Sequence, residues 1–519
     1  MRLLDPFFWV RYGLPRKARL FARLKLGCIQ LTFITLTFVV FLTLVFATYW
    51  SLSSQIARNG LIVVASYVFY GWWDWRFCLL MAGASLVDFA LGLAISLTTD
   101  PRYRRLLLVL SLSANLSLLG FFKYFNFFAD SFARLLNTIG WHATWVELRI
   151  ILPVGISFYT FQTLSYTIDI YRGHLKAERN PINYLAFVSF FPQLVAGPIE
   201  RATNLLPQFQ SKRVFDYEEA ADGCRQFLWG FCKKLILADR LGLIVDQVYA
   251  DSSAYHGPAL FLATLAFAFQ IYCDFSAYSD MAIGTAKLFG IRLMQNFAHP
   301  YFSRSVAEFW RRWHVSLSTW FRDYVYVPLG GNRVSKGMQA RNILITFGLS
   351  GLWHGASWNF LIWGLLNGLF VLPQTLFPPA EKRQSKEVPG GESLFISPSS
   401  LLRILVTFFL ISITWVFFRA MTFSSSIDIL TRMVTESLQA PYWQEATSLF
   451  AGDQSKLVWL LVGFLVIEWV TRRHPHPLAA PLIANTWLPV RWAALTAIFW
   501  TAVLMTNQQR TGSFIYFQF

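Results

Sequence analysis

The sequence predicts an all-α polytopic membrane protein, and three observations predict it. Of 519 residues, 55% are hydrophobic and only 14% charged, against roughly 25% charged in ordinary soluble domains. Apolar stretches of about 18 or more residues recur along the chain, enough to cross a hydrocarbon core of roughly 30 Å as helices. Aromatic residues reach 18%, with 50 Phe and 21 Trp, and such rings collect at bilayer interfaces. A backbone in lipid must satisfy its own hydrogen bonds, so helices are the expected spanning element.

Residues 1–28 carry Arg2, Arg11, Arg16, Lys17, Arg19, Arg23 and Lys25 against Asp5. This basic N-terminus is expected in the cytoplasm under the positive-inside bias, and the apolar stretch behind it is too long for a secretory signal. Clear spans run over 29–51, 61–70 resuming at 77–96, and 106–122, with Arg102, Arg104 and Arg105 crowding a short loop that is expected on the cytoplasmic side. Residues 123–146 open on KYFNFF and then turn polar, as an interfacial stretch does. Less regular apolar stretches occupy 150–198 and 227–248. The second holds Lys233, Lys234, Asp239 and Arg240, which predicts an interfacial or partly embedded helix. Further spans run over 259–271, 343–372, 401–418, 458–470 and 492–505.

The total is about eleven crossings in a single integral-membrane domain over 1–519. Residues 377–400 read as a flexible loop rich in Pro, Gly and alternating charge, and 506–519 as an aromatic tail. Arg472, Arg473 and Arg491 flank a polar stretch with His474 and His476. If that stretch is cytoplasmic, the last span delivers the tail to the extracytoplasmic side. An odd number of crossings from a cytoplasmic N-terminus gives the same answer. The net charge of +17 would point to nucleic acid in a soluble protein; here the membrane bias accounts for it, and no nucleic-acid partner is expected. Five scattered cysteines without a CxxC pair read as neither a disulfide framework nor a metal site.

The chemistry gathers in a few polar clusters. In EFWRRWHVSLSTWFRD, His314 sits on an expected helix beginning near Ser305, sharing a face with Arg311, Ser318 and Phe321 beside a stripe of Trp310, Trp313, Leu317 and Trp320. Arg304, Arg311, Arg312 and Arg322 surround it, opposed by Glu308 and Asp323; guanidinium groups suit phosphate recognition, while a positive-inside cluster is the plainer reading and compatible with it. In LSGLWHGASWN, His354 has Ser357 and Asn359 nearby. An imidazole at membrane depth is a functional-site hypothesis, and it can take a hydroxyl proton near neutral pH, as acyl transfer to an alcohol requires. QIYCDFSAYSDMAIG places Asp274, Ser279 and Asp280 in an apolar segment, where carboxylates pair with cations, orient a histidine, or serve structure alone. LPVGISFYTFQTLSYTIDIYRG and FFPQLVAGPIER are further polar breaks, and Gly197-Pro198 suits a re-entrant or interrupted helix. HExxH, GxSxG and phosphate-loop motifs are absent.

Taken together, PVGISFYTFQTLSYTIDIYRG, FPQLVAGPIER, DFSAYSDMAIG, EFWRRWHVSLSTWFRDYVYVPLGGNR and GLWHGASWNFLIWG resemble the membrane-bound O-acyltransferase (MBOAT) family, closest to its bacterial polysaccharide O-acetyltransferase branch. The resemblance covers residues 58–372 and the tail. It implies the MBOAT fold, with re-entrant and interfacial helices around a central tunnel. It also implies acetyl-CoA as a donor substrate from the cytoplasm, no permanently bound cofactor, and an exported polysaccharide such as alginate or cellulose as the destination. Under it His354 is the general base and His314 its helper, Arg304, Arg311, Arg312 and Arg322 are candidate contacts to the CoA phosphates, and Asp274, Ser279, Asp280, Ser318 and Asn359 are supporting polar groups. The tail FIYFQF resembles the aromatic C-terminal motif of related cell-envelope acyltransferases, which makes Tyr516 a candidate acyl relay as well as an interfacial anchor. A periplasmic SGNH-type acetyltransferase is the implied partner in a bacterial inner membrane. Peptidoglycan O-acetylation and teichoic-acid D-alanylation are alternatives within the family, and a proton-coupled transporter or channel is the alternative outside it, though that class favours internal repeats and none is seen.

Overall fold

The computed structural model describes residues 31–141, 148, 150–377, 397–479, 486–505, 514 and 515. The basic run 1–28, most of the 377–400 loop and Tyr516 lie outside the described residues. Every regular element among the described residues is helical. Among the described residues, five helices are long and apolar enough to span a membrane: Arg76–Leu97, Pro101–Thr138, Gly257–Leu288, Trp358–Leu376 and Pro398–Arg419, with Leu36–Ser51 and Leu488–Leu504 apolar but shorter. Helix starts are written locally. Ser54, Asp100, Asn180, Asp216, Ser335 and Ser397 each accept a backbone N–H of the following first turn, and Asp100, Asn180 and Ser397 precede a proline, the residue that the first helical position tolerates best.

The helix Gly257–Leu288 is the axis of the molecule. Its most apolar window is 78% buried, against 28% in Arg76–Leu97 and 22% in Pro101–Thr138. The outer helices therefore present their apolar faces outward, to lipid, while this one is enclosed by protein. Its first half, Leu260 to Phe275, lies in one aromatic core; its second half, Ala277 to Ala286, lies in another. Helix Tyr217–Cys232 packs closely along it because Gly223 faces Gly284: a Cβ on Gly223 would sit 2.6 Å from the Gly284 carbonyl oxygen, and small residues permit such backbone approach.

Three expectations are corrected. The apolar stretch 343–372 is two helices, Lys336–His354 and Trp358–Leu376, folded into a hairpin. The chain turns at Gly355, and Ser357 restarts the helix by accepting the Phe360 N–H at 3.4 Å. The stretch 227–248, expected as an interfacial or partly embedded helix, does not present its charged face outward. Tyr217–Cys232 runs through a π-helical segment, Lys233–Ala238, into Asp239–Ala250, and the lysines turn inward. Lys233 and Lys234 are buried at 3% and 2% exposure because carboxylates of the central helix meet them: Lys233 pairs with Asp280 at 2.6 Å, and Lys234 with Asp274 at 2.5 Å and Asp239 at 2.9 Å. Finally, the helix expected through His314 breaks there into Val306–Arg312 and Val315–Phe321.

Candidate active site

The break at residue 314 is built in. Ser305 caps the first helix by accepting the Glu308 N–H at 3.1 Å, and that helix stops at Trp313, which is extended. His314 then adopts the left-handed conformation, φ 44° and ψ 53°, an unusual choice for a residue with a side chain. Such strain costs about 1–3 kcal/mol and persists only where the surroundings over-determine it. The loop segment 296–298 supplies the restraint. Ala298 N–H donates to the Arg312 carbonyl and Val315 N–H to the Asn296 carbonyl, both at 2.9 Å. The Asn296 side chain completes the clamp: its Oδ1 accepts from Ser316 N–H at 3.3 Å and Ser316 Oγ–H at 2.9 Å, and lies 3.2 Å from His314 Nδ1. The expected sharing of one helical face by Arg311, His314 and Ser318 is therefore lost. Arg311 is exposed, His314 is buried, and Ser318 Oγ donates to the Trp313 carbonyl at 3.2 Å.

His354 is held in another way. It is the last residue of helix Lys336–His354, where the final carbonyls have no partner within the helix. A π-helical turn, Gly120–Tyr124, meets them. Lys123 Nζ donates to the Trp353 carbonyl at 2.5 Å and to the His354 carbonyl at 3.2 Å, and Tyr124 Oη donates to the Leu352 carbonyl at 2.7 Å. A cation at a helix C-terminus also complements its dipole. Neither Lys123 nor Tyr124 was among the expected site residues, though a single lysine inside the aromatic run KYFNFF is the kind of costly group that signals a role.

These two devices bring the histidines together. Forty residues apart in sequence, their rings lie 6.3 Å centroid to centroid, with exposures of 1% for His314 and 5% for His354. Aromatic rings pack around this pair: Phe275 stands 4.7 Å from the His314 ring, Trp353 5.8 Å from the same ring, and Trp363 and Phe418 stand 5.0 and 5.4 Å from His354. Beside it lies a polar cleft lined by Lys233, Ser276, Ser279, Asp280, Asn296, His299, Glu468 and His476. Asn296 links the cleft to the histidines, since its Nδ2 donates to Ser279 Oγ at 3.2 Å while its Oδ1 faces His314. His299 and Glu468, also missing from the sequence expectations, form a buried pair at 2.7 Å to which Tyr272 donates its phenol proton at 2.6 Å.

The other expected residues divide. Ser279 joins the site through Asn296. Asp274 and Asp280 are tied to Lys234 and Lys233. Asn359 belongs to the packing of the C-terminal helices, donating to the Ala420 carbonyl at 2.9 Å and to Ser426 at 3.3 Å. Among the arginines, Arg312 pairs with Glu308 at 2.6 Å and Arg322 with Asp323 at 2.7 Å, while the Arg304 main-chain N–H donates to Glu308 at 2.9 Å. Burial pushes the Asp323 carboxyl up, but hydrogen bonds from Arg322 and the charge of Arg201, 2.5 Å away, outweigh it and hold the group below the ordinary carboxylate range. In the tail, Phe514 and Ile515 are buried at 4% and 3%. Ile515 N–H donates to Asp274 Oδ2 at 2.5 Å, and the Phe514 ring lies 4.6 Å below Lys234 Nζ. The tail thus reaches the residue preceding Phe275, whose ring packs on His314.

Residues 171–385 match the model of MBOAT, the membrane-bound O-acyltransferase family. The chain is 37% identical over 499 residues to the Pseudomonas putida protein named "Probable alginate O-acetylase AlgI", covering 92% of this chain and 97% of that one. The protein of the same name from Pseudomonas aeruginosa is 40% identical over 428 residues, 82% of this chain and 78% of that one. The Helicobacter pylori peptidoglycan O-acetyltransferase is 36% identical over 425 residues, 76% of this chain and 78% of that one. A polytopic all-helical chain with relatives of this closeness and extent is an acyltransferase, and it belongs to the membrane-bound O-acyltransferase family.

Proposed function

We propose that this protein takes an acetyl group from acetyl-CoA at the cytoplasmic face of a bacterial inner membrane and passes it across for O-acetylation of an exported polysaccharide, alginate being the first choice. The observation that carries this reading is the pair of buried imidazoles 6.3 Å apart. One removes the proton from the attacking hydroxyl, as a general base does, and the other orients or assists it. His354 is the base and His314 the assistant. The hydroxyl oxygen attacks the thioester carbonyl, the C–S bond breaks, and CoA leaves as the thiol once its sulfur is protonated.

The polar cleft lined by Asn296 supports a donor route from the side where Arg472 and Arg473 gather, with Arg304, Arg311, Arg312 and Arg322 as the candidates for the CoA phosphates. Tyr516 is the acyl relay, and the burial of Phe514 and Ile515 beside Asp274 supports it. A periplasmic SGNH-type acetyltransferase completes transfer to sugar. The Helicobacter relative keeps peptidoglycan as the alternative acceptor.

The test uses His354→Ala in a strain whose exported polysaccharide is assayed for O-acetyl groups, and inverted vesicles supplied with radiolabelled acetyl-CoA. The expected result is a folded, membrane-inserted protein without acetylation in cells and without label uptake in vesicles. Normal acetylation by that variant overturns the mechanism. Full activity in Tyr516→Phe removes the relay alone.

A further inference from the structure

We infer that Asn296 fixes the tautomer of His314, so that Nδ1 always carries a proton and Nε2 is the nitrogen that gains and loses one. The argument rests on which groups have a choice. A side-chain amide can be turned either way, and a neutral imidazole can carry its proton on either nitrogen. A backbone N–H has no such freedom. Ser316 N–H points at the Asn296 side-chain atom 3.3 Å away, so that atom is the carbonyl oxygen. The amide's Nδ2 then faces Ser279 Oγ at 3.2 Å, which accepts.

With Oδ1 fixed, the group 3.2 Å from it, His314 Nδ1, must donate. Ser316 Oγ is consistent with that assignment. Its single proton goes to Asn296 Oδ1 at 2.9 Å and its oxygen accepts from Ile199 N–H at 3.0 Å. Toward Nδ1, 3.4 Å away, it has only acceptance left to offer. Nδ1 is therefore a donor in both the neutral and the charged imidazole.

The arrangement also explains the strained backbone. An αL residue between two short helices, with Val315 N–H held by the Asn296 carbonyl, sets the imidazole of His314 against the amide of Asn296. Asn296 is thus a positioning residue for the imidazole, acting from the lining of the polar cleft. This inference rests on the reading of His314 as part of the transfer chemistry, but its central claim concerns the resting protein and is measured without turnover.

The experiment is solid-state nitrogen-15 NMR of the full-length protein in bilayers, labelled at histidine nitrogens, with the His314 signals identified by difference from His314→Gln. The expected wild-type spectrum shows a protonated Nδ1 and an unprotonated Nε2. Asn296→Leu, which removes the acceptor, is expected to mix the two forms and to slow acyl transfer about tenfold, the worth of one buried hydrogen bond. Asn296→Asp keeps an acceptor at the same place and is expected to retain both the protonated Nδ1 and most of the activity. An unprotonated Nδ1 in the wild type overturns the inference, whatever the variants do. An unchanged His314 spectrum in Asn296→Leu, or a lost Nδ1 proton in Asn296→Asp, overturns it too. Full transfer by His314→Ala would instead overturn the catalytic reading while leaving the tautomer assignment standing.

Discussion

His314 and His354 lie side by side, their rings 6.3 Å apart, but the chain holds them by opposite means. His354 ends a regular helix, and its position is set from behind by Lys123 and Tyr124, which grip the last carbonyls. His314 stands in a left-handed turn between two short helices, and its position is set through the imidazole and the neighbouring backbone by one asparagine. The first device uses helix regularity and needs only a cation at its end. The second abandons regularity, stores strain, and needs a specific acceptor. A chemical group at a strained turn depends on a specific acceptor for its own side chain, and a group at a helix end depends on donors that grip the helix carbonyls.

Substitutions can break or sharpen that contrast. The largest effect is expected at His354→Ala: transfer falls by about 10²–10⁴-fold, the usual worth of a positioned general base, while detergent-extracted protein still elutes as a single species on size exclusion. Next comes Lys234→Met. It strips the cation from Asp274, beside the ring that walls His314, and breaking one side of a buried ion pair costs about 3–5 kcal/mol. Thermal unfolding in detergent should show the loss.

Lys123→Met tests the His354 side alone. Removing a charge-assisted donor from the helix end costs about 1.5–3 kcal/mol, read as lower thermal stability and a slower rate with the donor's KM little changed. Smaller, but diagnostic of the contrast, is the order of Gly and Ala. At 314, Gly relieves the positive φ, so His314→Gly should be more stable than His314→Ala by about 1 kcal/mol. At 354, at the end of a regular helix, Ala should be the more stable by about 0.5–1 kcal/mol. Equal ordering at both sites would erase the distinction.

The smallest effect concerns acid. Asp323 is held below its usual range, so its ionic contacts contribute stability above the unfolded value near about 4 and lose it as pH falls through the folded value. Asp323→Asn should therefore flatten the acid limb of thermal stability and leave the neutral limb slightly lowered.

Much of the fold was legible in the chain. Arg76–Leu97 and Pro398–Arg419 are long apolar runs, and the second begins at a Ser-Pro signal. Their lipid-facing surfaces leave composition little choice. Legibility failed where charges sit inside. Lys233, Lys234, Asp239 and Arg240 looked like an interfacial face because amphipathicity does not say whether the polar side meets water or a partner helix. It failed again at Trp313 and His314, where a helical period runs unbroken through the sequence. Nothing local reports a clamp formed by Asn296, eighteen residues away. Lys123 was visible as an odd charge, but its target, the end of a helix more than two hundred residues later, was not.

The sequence by itself determined that this is a helical membrane protein, that two histidines and a set of polar breaks interrupt its apolar segments, and that its motifs are those of an acyltransferase family. Hydrophobic length, positive charge bias and motif order are local properties, and a single chain displays them in full. Only the tertiary structure decided that the histidines meet, that Asn296 and Lys123 hold them, and that Phe514 and Ile515 are buried beside Asp274. Those facts depend on which helix faces which, and that choice is made by packing and by the pairing of buried charges between segments far apart along the chain.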